Sequence, residues 1–141
     1  MWERTGGCGC GAVRYRLASE PFDTGWCHCR ICQLSSGAPA VVFSTVPLDD
    51  YRIERGEDRI ASRRSTSFGT RRFCRDCGTP LTMQVDHQPE TIDFTVATLD
   101  HAEDVVPGYH IFHAEALPWA ETADGLPRHA GLRPVTRGLP R

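Results

Sequence analysis

The sequence predicts an all-β fold with little helix, a single domain built from antiparallel sheets. Short stretches alternate apolar and charged residues, glycine-bearing turns separate them, and apolar residues at helical period are scarce throughout the 141 residues. A chain of this length supports one hydrophobic core, which fits one domain.

Thr5-Gly6-Gly7-Cys8-Gly9-Cys10-Gly11 is a glycine-rich turn carrying two thiols, and Ala12 to Leu17 alternates like a strand with one wet face. Trp26-Cys27-His28-Cys29-Arg30-Ile31-Cys32-Gln33 then packs three thiols into six positions, and Leu34 to Gly37 adds a brief helical turn. Gly37 to Val46 is short, apolar and β-branched, as expected of a buried strand lying against that cluster. Tyr51 to Gly56 alternates again, and Ser65 to Phe73 is an extended lead into the next thiols. In Phe73-Cys74-Arg75-Asp76-Cys77-Gly78-Thr79-Pro80-Leu81 the glycine suits the left-handed position after a CxxC turn. Thr82 to Asp86 and Thr91 to Thr98 read as strands joined around Gln88-Pro89. Gly108 to His113 and Ala116 to Trp119 close the fold. Beyond Pro127 the chain is a mix of Arg, Pro and Gly with little to bury, so a domain is expected over residues 1–127 and an extended or disordered tail over 128–141.

The net charge of −2 hides a segregation. Residues 1–75 carry 12 arginines and 8 acids, residues 76–125 carry 10 acids and no arginine, and residues 126–141 carry 4 arginines. Lysine is absent, so every one of these cations is a planar guanidinium suited to carboxylate pairing. The arginine-rich part lacks interleaved aromatics and the chain is acidic overall, which argues against a nucleic-acid partner. Met1-Trp2-Glu3-Arg4 does not open a basic and then apolar leader, and no apolar run approaches the roughly 18 residues that cross a bilayer. A cytoplasmic protein with no membrane partner is expected. No heptad or continuous apolar stripe signals an oligomeric state.

Seven cysteines in a reducing compartment point to metal binding or catalysis rather than disulfides. The CxC then CxxC spacing of Cys27, Cys29 and Cys32 lets one tight turn aim three sulfurs at a tetrahedral zinc ion, at about 2.3 Å each, and leave its fourth corner open. Cys74 and Cys77 form a zinc half-site; a thioredoxin-type redox pair would need a βαβ context that is not evident. A structural zinc needs four thiolates, and Cys8, Cys10, Cys74 and Cys77 supply two pairs on glycine-rich turns. In a competing partition one central thiol joins the Cys74 pair and the N-terminal CxC stays free, and composition leaves it open. Two zinc ions per chain are expected, one structural and one catalytic and labile.

Gly7-Cys8-Gly9-Cys10-Gly11, Cys27-His28-Cys29-Arg30-Ile31-Cys32, Arg72-Phe73-Cys74-Arg75-Asp76-Cys77-Gly78-Thr79 and Leu117-Pro118-Trp119 resemble the glutathione-dependent formaldehyde-activating family, which includes centromere protein V. The resemblance runs from about Thr5 to Pro127. It implies a tent-like all-β zinc fold, with Cys8, Cys10, Cys74 and Cys77 on a structural zinc and Cys27, Cys29 and Cys32 on a catalytic one. It also implies a carbon-sulfur lyase acting on S-hydroxymethylglutathione.

The chemistry of the trio suits a thiol guest. Three thiolates leave Zn²⁺ with a formal charge of −1, a poor activator of water and a better host for soft sulfur. A glutathione thiol there would be deprotonated and able to attack formaldehyde or another small aldehyde, or the zinc would polarise the aldehyde oxygen instead. Arg30, Gln33, Arg64 and Arg72 are the candidates for holding the substrate. His28, between two ligands, is expected to point away from the metal and pack behind it. His110 and His113 are candidates for the fourth corner or for an acid or base, against the ordinary reading of core-satisfied imidazoles. Trp26 and Trp119 are expected to wall the site. Two other classes stay in view: a non-catalytic zinc-binding interaction module, favoured if a histidine closes the trio, and a thiol redox enzyme resembling a sulfoxide reductase that uses Cys29 and Cys32.

Overall fold

Alternation builds the first sheet. Arg14, Tyr15, Arg16 and Leu17 turn alternately outward and inward, which buries Tyr15 and Leu17 completely. The computed structural model describes residues 4–133 together with Val135–Thr136 and Leu139–Pro140. Its chain is mostly β, with one α-helix among the described residues and none long and apolar enough to cross a membrane.

The chain forms two compact units, each discontinuous in sequence. One combines the residues through Phe22 with Ser44–Val105, and the other combines Asp23–Phe43 with the residues from Val106 onward.

In the first unit β1 (Arg4–Gly7) pairs antiparallel with β2 (Arg14–Leu17), and β2 pairs with β5 (Tyr51–Arg55). The glycines read as a turn at Thr5 to Gly7 belong to β1. A Cβ on Gly6 would lie 2.5 Å from the Thr98 carbonyl oxygen and 2.6 Å from the Tyr15 hydroxyl, so glycine serves close packing there. Tyr15 stacks on Tyr51 with ring centroids 4.5 Å apart, and both lie against Phe94. A second sheet in this unit runs in the order β4 (Val41–Pro47), β9 (Thr91–Thr95), β8 (Pro80–Val85), β7 (Gly69–Cys74) and β6 (Ile60–Arg64). The residues after Thr95 leave the strand as a 3-10 turn, because the Thr98 hydroxyl donates back to the Thr95 carbonyl at 2.7 Å.

In the second unit β3 (Phe22–Cys27) leads through Cys29 into α1 (Arg30–Ser36) and on to the start of β4. The helical turn expected at Leu34 starts four residues earlier. Its N-cap is Cys29, whose sulfur accepts from the Cys32 N–H at 3.3 Å in place of the usual side-chain oxygen, and Gly37 closes it in the left-handed region at φ 72°. The short β10 (His110–Ile111) lies parallel to β3, with His110 opposite Trp26 and Ile111 opposite Cys27.

Residues 128–133, which composition assigns to a tail, are tied into this unit. The His129 N–H donates to the His110 carbonyl at 2.9 Å, and Phe112 N–H donates to the Gly131 carbonyl at 2.9 Å. Side-chain hydropathy carries no signal of such backbone pairing. The strands β11 (Val135–Thr136) and β12 (Leu139–Pro140) pair antiparallel, and the remaining residues of the expected tail lie outside the described ones.

A stack of unlike groups ties Tyr109 and Arg133 to β3. The Tyr109 ring lies against Gly25, its hydroxyl donates to the Asp23 carbonyl at 3.0 Å, and the Arg133 guanidinium sits 4.1 Å from its centroid while pairing with the Asp23 carboxylate. A Cβ on Gly25 would meet the Tyr109 ring at 2.3 Å. Gly25→Ala is therefore expected to destabilise the fold by about 1–3 kcal/mol, read as a lower urea midpoint at unchanged slope.

In the first unit Asp100 accepts from both terminal nitrogens of Arg14 and from the Thr5 hydroxyl, and the Arg14 guanidinium, ahead of Thr5, holds its carboxyl below the usual aspartate range. A folded-state pKa below the unfolded one stabilises the protein above the unfolded value and loses that contribution as pH falls through the folded one. Because both side chains are partly solvated, Asp100→Asn should cost under about 1 kcal/mol at pH 7, and the difference should vanish in melts taken well below about pH 4.

Candidate metal centres

Each unit carries one cluster of thiols. In the first, the sulfurs of Cys8, Cys10, Cys74 and Cys77 lie within 4.8 Å of one another. Two similar turns make this possible. The Gly11 N–H donates to the Cys8 carbonyl at 3.1 Å, and the Gly78 N–H, with φ at 80°, donates to the Cys74 carbonyl at 2.8 Å. Cys8 and Cys74 are buried with Val13 and Leu81 in a small apolar core, while Cys10 and Cys77 face outward. Thr79 stitches the two turns together: its hydroxyl accepts from the Gly9 N–H at 3.0 Å and lies 3.1 Å from the Cys77 sulfur.

The second cluster comprises Cys27, Cys29 and Cys32, again within 4.8 Å of one another. The single tight turn expected from the spacing is instead three kinds of backbone. Cys27 ends β3, Cys29 caps α1, and Cys32 lies in the first turn of that helix, its sulfur 3.4 Å from that of Cys27. Cys27 and Cys32 are buried and Cys29 is half-buried. Among the described residues no histidine, aspartate or glutamate joins the three. Of the two partitions left open by composition, the sulfurs are grouped as in the first: Cys8 and Cys10 gather with Cys74 and Cys77, and Cys27, Cys29 and Cys32 gather by themselves.

The donor sets fit a soft divalent ion such as zinc. The hydrogen bonds to Cys29 and then Cys32, followed by burial, push the Cys27 thiol far up. In the other cluster Cys10 is raised to about 12 against the lowering effect of the Ala12 amide, with Cys8 the first neighbour to raise it. The Thr79 hydroxyl lowers Cys77 to about 5. Neighbouring sulfurs oppose each other's ionisation, and a cation among them removes that opposition.

His28 is buried beside the trio without belonging to it. Its Nε2 lies 2.8 Å from Nδ1 of His110, whose own Nε2 lies 2.8 Å from the Asp124 carboxylate. Trp26 stacks on the His110 ring at 6.0 Å, and His113 meets His28 edge-on at 5.2 Å. The other expected wall is absent, because Trp119 is 74% exposed. Burial, then His110 and His113, lower the pKa of His28, while the Leu126 N–H and His110 hold the Asp124 carboxyl well below the usual range.

The four residues expected to hold substrate divide between the units. Gln33 is only 5% exposed, and its amide donates to the carbonyls of His28 at 2.8 Å and Glu115 at 3.1 Å, bracing the loop that carries the thiols. Arg30 is exposed, its N–H donating to the Glu115 carboxylate and its guanidinium to the Gln33 side-chain oxygen. Arg64 and Arg72 belong to the first unit. Arg64 forms a two-pronged pair with Asp86, and Arg72 donates to Gln84 at 3.4 Å. Thr79, Glu115, Thr122 and Asp124 escaped the sequence reading. Thr79 was marked only by following the CxxCG, and Asp124 only by preceding a glycine.

A sequence model described as the glutathione-dependent formaldehyde-activating enzyme matches residues 3–115. The chain belongs to this family. A Halomonas elongata protein whose name assigns it provisionally to glutathione-dependent formaldehyde activation is 28% identical over 101 residues, 67% of this chain and 64% of that protein. An uncharacterised lyase of Schizosaccharomyces pombe is 31% identical over 81 residues, 57% of each chain. The chain thus spans about six-tenths of these relatives' lengths. A crystal structure of a Rhodobacter sphaeroides protein superposes with a TM-score of 0.59 at 25% identity, covering 88% of this chain and 98% of that one. The mostly β fold expected of the sequence is observed, and the expected antiparallel pairing is departed from where β10 runs parallel to β3.

The two clusters should respond differently to losing one sulfur. Cys74 is fully buried in an apolar core and joins segments 64 residues from Cys10, so Cys74→Ser or Cys77→Ser should abolish cooperative melting. Cys29→Ser, at a half-exposed helix cap, should keep a melting temperature within a few degrees of the parent. Equal melting temperatures for the three variants would contradict the distinction.

Proposed function

We propose that the chain is a zinc-dependent carbon-sulfur lyase of the glutathione-dependent formaldehyde-activating type, joining a thiol such as glutathione to formaldehyde or a small aldehyde and reversing that addition. One observation carries the reading: three clustered thiols, one of them half-exposed, with no fourth acidic or imidazole donor among the described residues. A non-catalytic Cys₃His module would call for a histidine in that place, whereas His28 and His110 bond to each other and His113 lies 3.6 Å from Glu121. Family membership supports the same reaction class.

Cys27, Cys29 and Cys32 would hold the catalytic zinc, and Cys8, Cys10, Cys74 and Cys77 the structural one. When bound, the catalytic zinc would supply an open Lewis-acid position that favours the thiolate form of a substrate thiol. The addition forms a carbon-sulfur bond, and the thiol proton ends on the former carbonyl oxygen. Because Cys27 and Cys32 are buried, substrate approaches past Cys29. Arg30, exposed beside it, offers a guanidinium to a peptide carboxylate such as those of glutathione. Gln33 holds the loop rather than the substrate, and Arg64 or Arg72 would have to give up Asp86 or Gln84 to take part.

The test is a zinc count on protein refilled under reducing conditions, with adduct formation followed by NMR in glutathione and formaldehyde. Parent protein should hold two zinc ions and accelerate the exchange, and a variant lacking Cys27, Cys29 and Cys32 should hold one and be inactive. One zinc in both proteins would overturn the reading and favour free thiols with redox chemistry at Cys29 and Cys32.

A further inference from the structure

The family match ends at residue 115, yet the segment beyond it supplies the carboxylate at the end of a buried hydrogen-bond chain. That chain runs from Asp124 through His110 to His28, which stands between Cys27 and Cys29. His110 is 1% exposed and His28 is 2% exposed.

The order of donors along it is fixed at one end. The Asp124 oxygen facing His110 also accepts from the Thr122 hydroxyl at 2.9 Å, and its other oxygen accepts from the Leu126 N–H at 3.0 Å and the Arg128 guanidinium at 3.2 Å. An ionised carboxylate only accepts, so Nε2 of His110 must carry a proton. With one proton per ring, Nδ1 of His110 is then an acceptor and Nε2 of His28 its donor. That leaves Nδ1 of His28 as a buried lone pair with no partner among the described residues. Trp26 stacked on His110 and His113 edge-on to both imidazoles restrict the rings from turning over.

We propose that Asp124 is a positioning residue, which through His110 fixes the tautomer and orientation of His28 and thereby the backbone that presents Cys27 and Cys29. The metal-binding consequence rests on the reading of the trio as a zinc site, and the tautomer assignment does not. Asp124→Asn reverses the order. Its carbonyl oxygen stays with the Leu126 N–H and the Arg128 guanidinium, which both demand an acceptor, so the new NH₂ faces His110. Nε2 of His110 becomes an acceptor, its Nδ1 donates to His28, and the remaining His28 proton moves to the buried Nδ1, where no acceptor waits.

Long-range ¹H–¹⁵N correlation spectra at pH 8 read this directly, in zinc-free and zinc-refilled protein. The parent should show His28 and His110 both protonated at Nε2, and Asp124→Asn should show both protonated at Nδ1. Chelator competition should find the trio's zinc affinity about tenfold weaker in the variant, the low end of what losing a supporting group outside the ligands costs, with the four-thiol site unchanged. A parent His28 protonated at Nδ1, or an inverted chain with unaltered affinity at the trio, would overturn the proposal. Should Asp124→Asn fail to fold, the parent spectra still decide the donor order, and Thr122→Ala, which removes one donor to the same carboxylate, replaces it in the affinity measurement with a smaller loss expected. A trio that takes no zinc in the parent would overturn the metal reading and with it the affinity claim, while the spectra of zinc-free protein judge the donor order separately.

Discussion

Crowded sulfur is the constraint on which the rest depends. Three thiols in one unit and four in the other lie within 4.8 Å of their neighbours, a spacing at which each thiolate opposes the next. The effect is plain at Cys27, whose thiol is pushed far up by Cys29 and Cys32 before burial adds to it. A divalent cation turns that opposition into attraction, so either cluster could hold a metal ion.

The two clusters meet that constraint with different backbone. Cys8 and Cys10 lie more than sixty residues from Cys74 and Cys77, so closing the cluster closes a long loop, and the Thr79 hydroxyl between Gly9 and Cys77 helps hold the two turns in register. The trio closes locally, within a strand end and the first turn of one helix. Such a site depends less on the fold for its existence and more on it for its shape, which falls to Gln33, Glu115 and the buried imidazoles.

The second unit places a set of hydrogen bonds behind its thiols. Residues 127–131 run along residues 110–114, Tyr109 beds on Gly25, and the His110 network gathers groups from β3, β10 and the 121–128 segment. A chain that stopped at the end of the family match would lack Asp124, Arg128 and Arg133.

Cysteine spacing and turn glycines determined by themselves which thiols could be metal ligands, because chelation by CxC and CxxC is a local property of a few dihedral angles. Alternation likewise marked β2 and β5, whose side chains alternate in exposure. Only the tertiary structure decided that Cys8 and Cys10 join Cys74 and Cys77, that Gln33 braces the loop, that Trp119 is exposed, and that Asp124 reaches His110. Each of those depends on contacts between residues distant in sequence, or on backbone pairing that side-chain pattern does not encode. A cysteine serving as N-cap and a glycine serving close packing at Gly6 also look, in sequence, like residues with other purposes, and their roles follow from what the fold places against them.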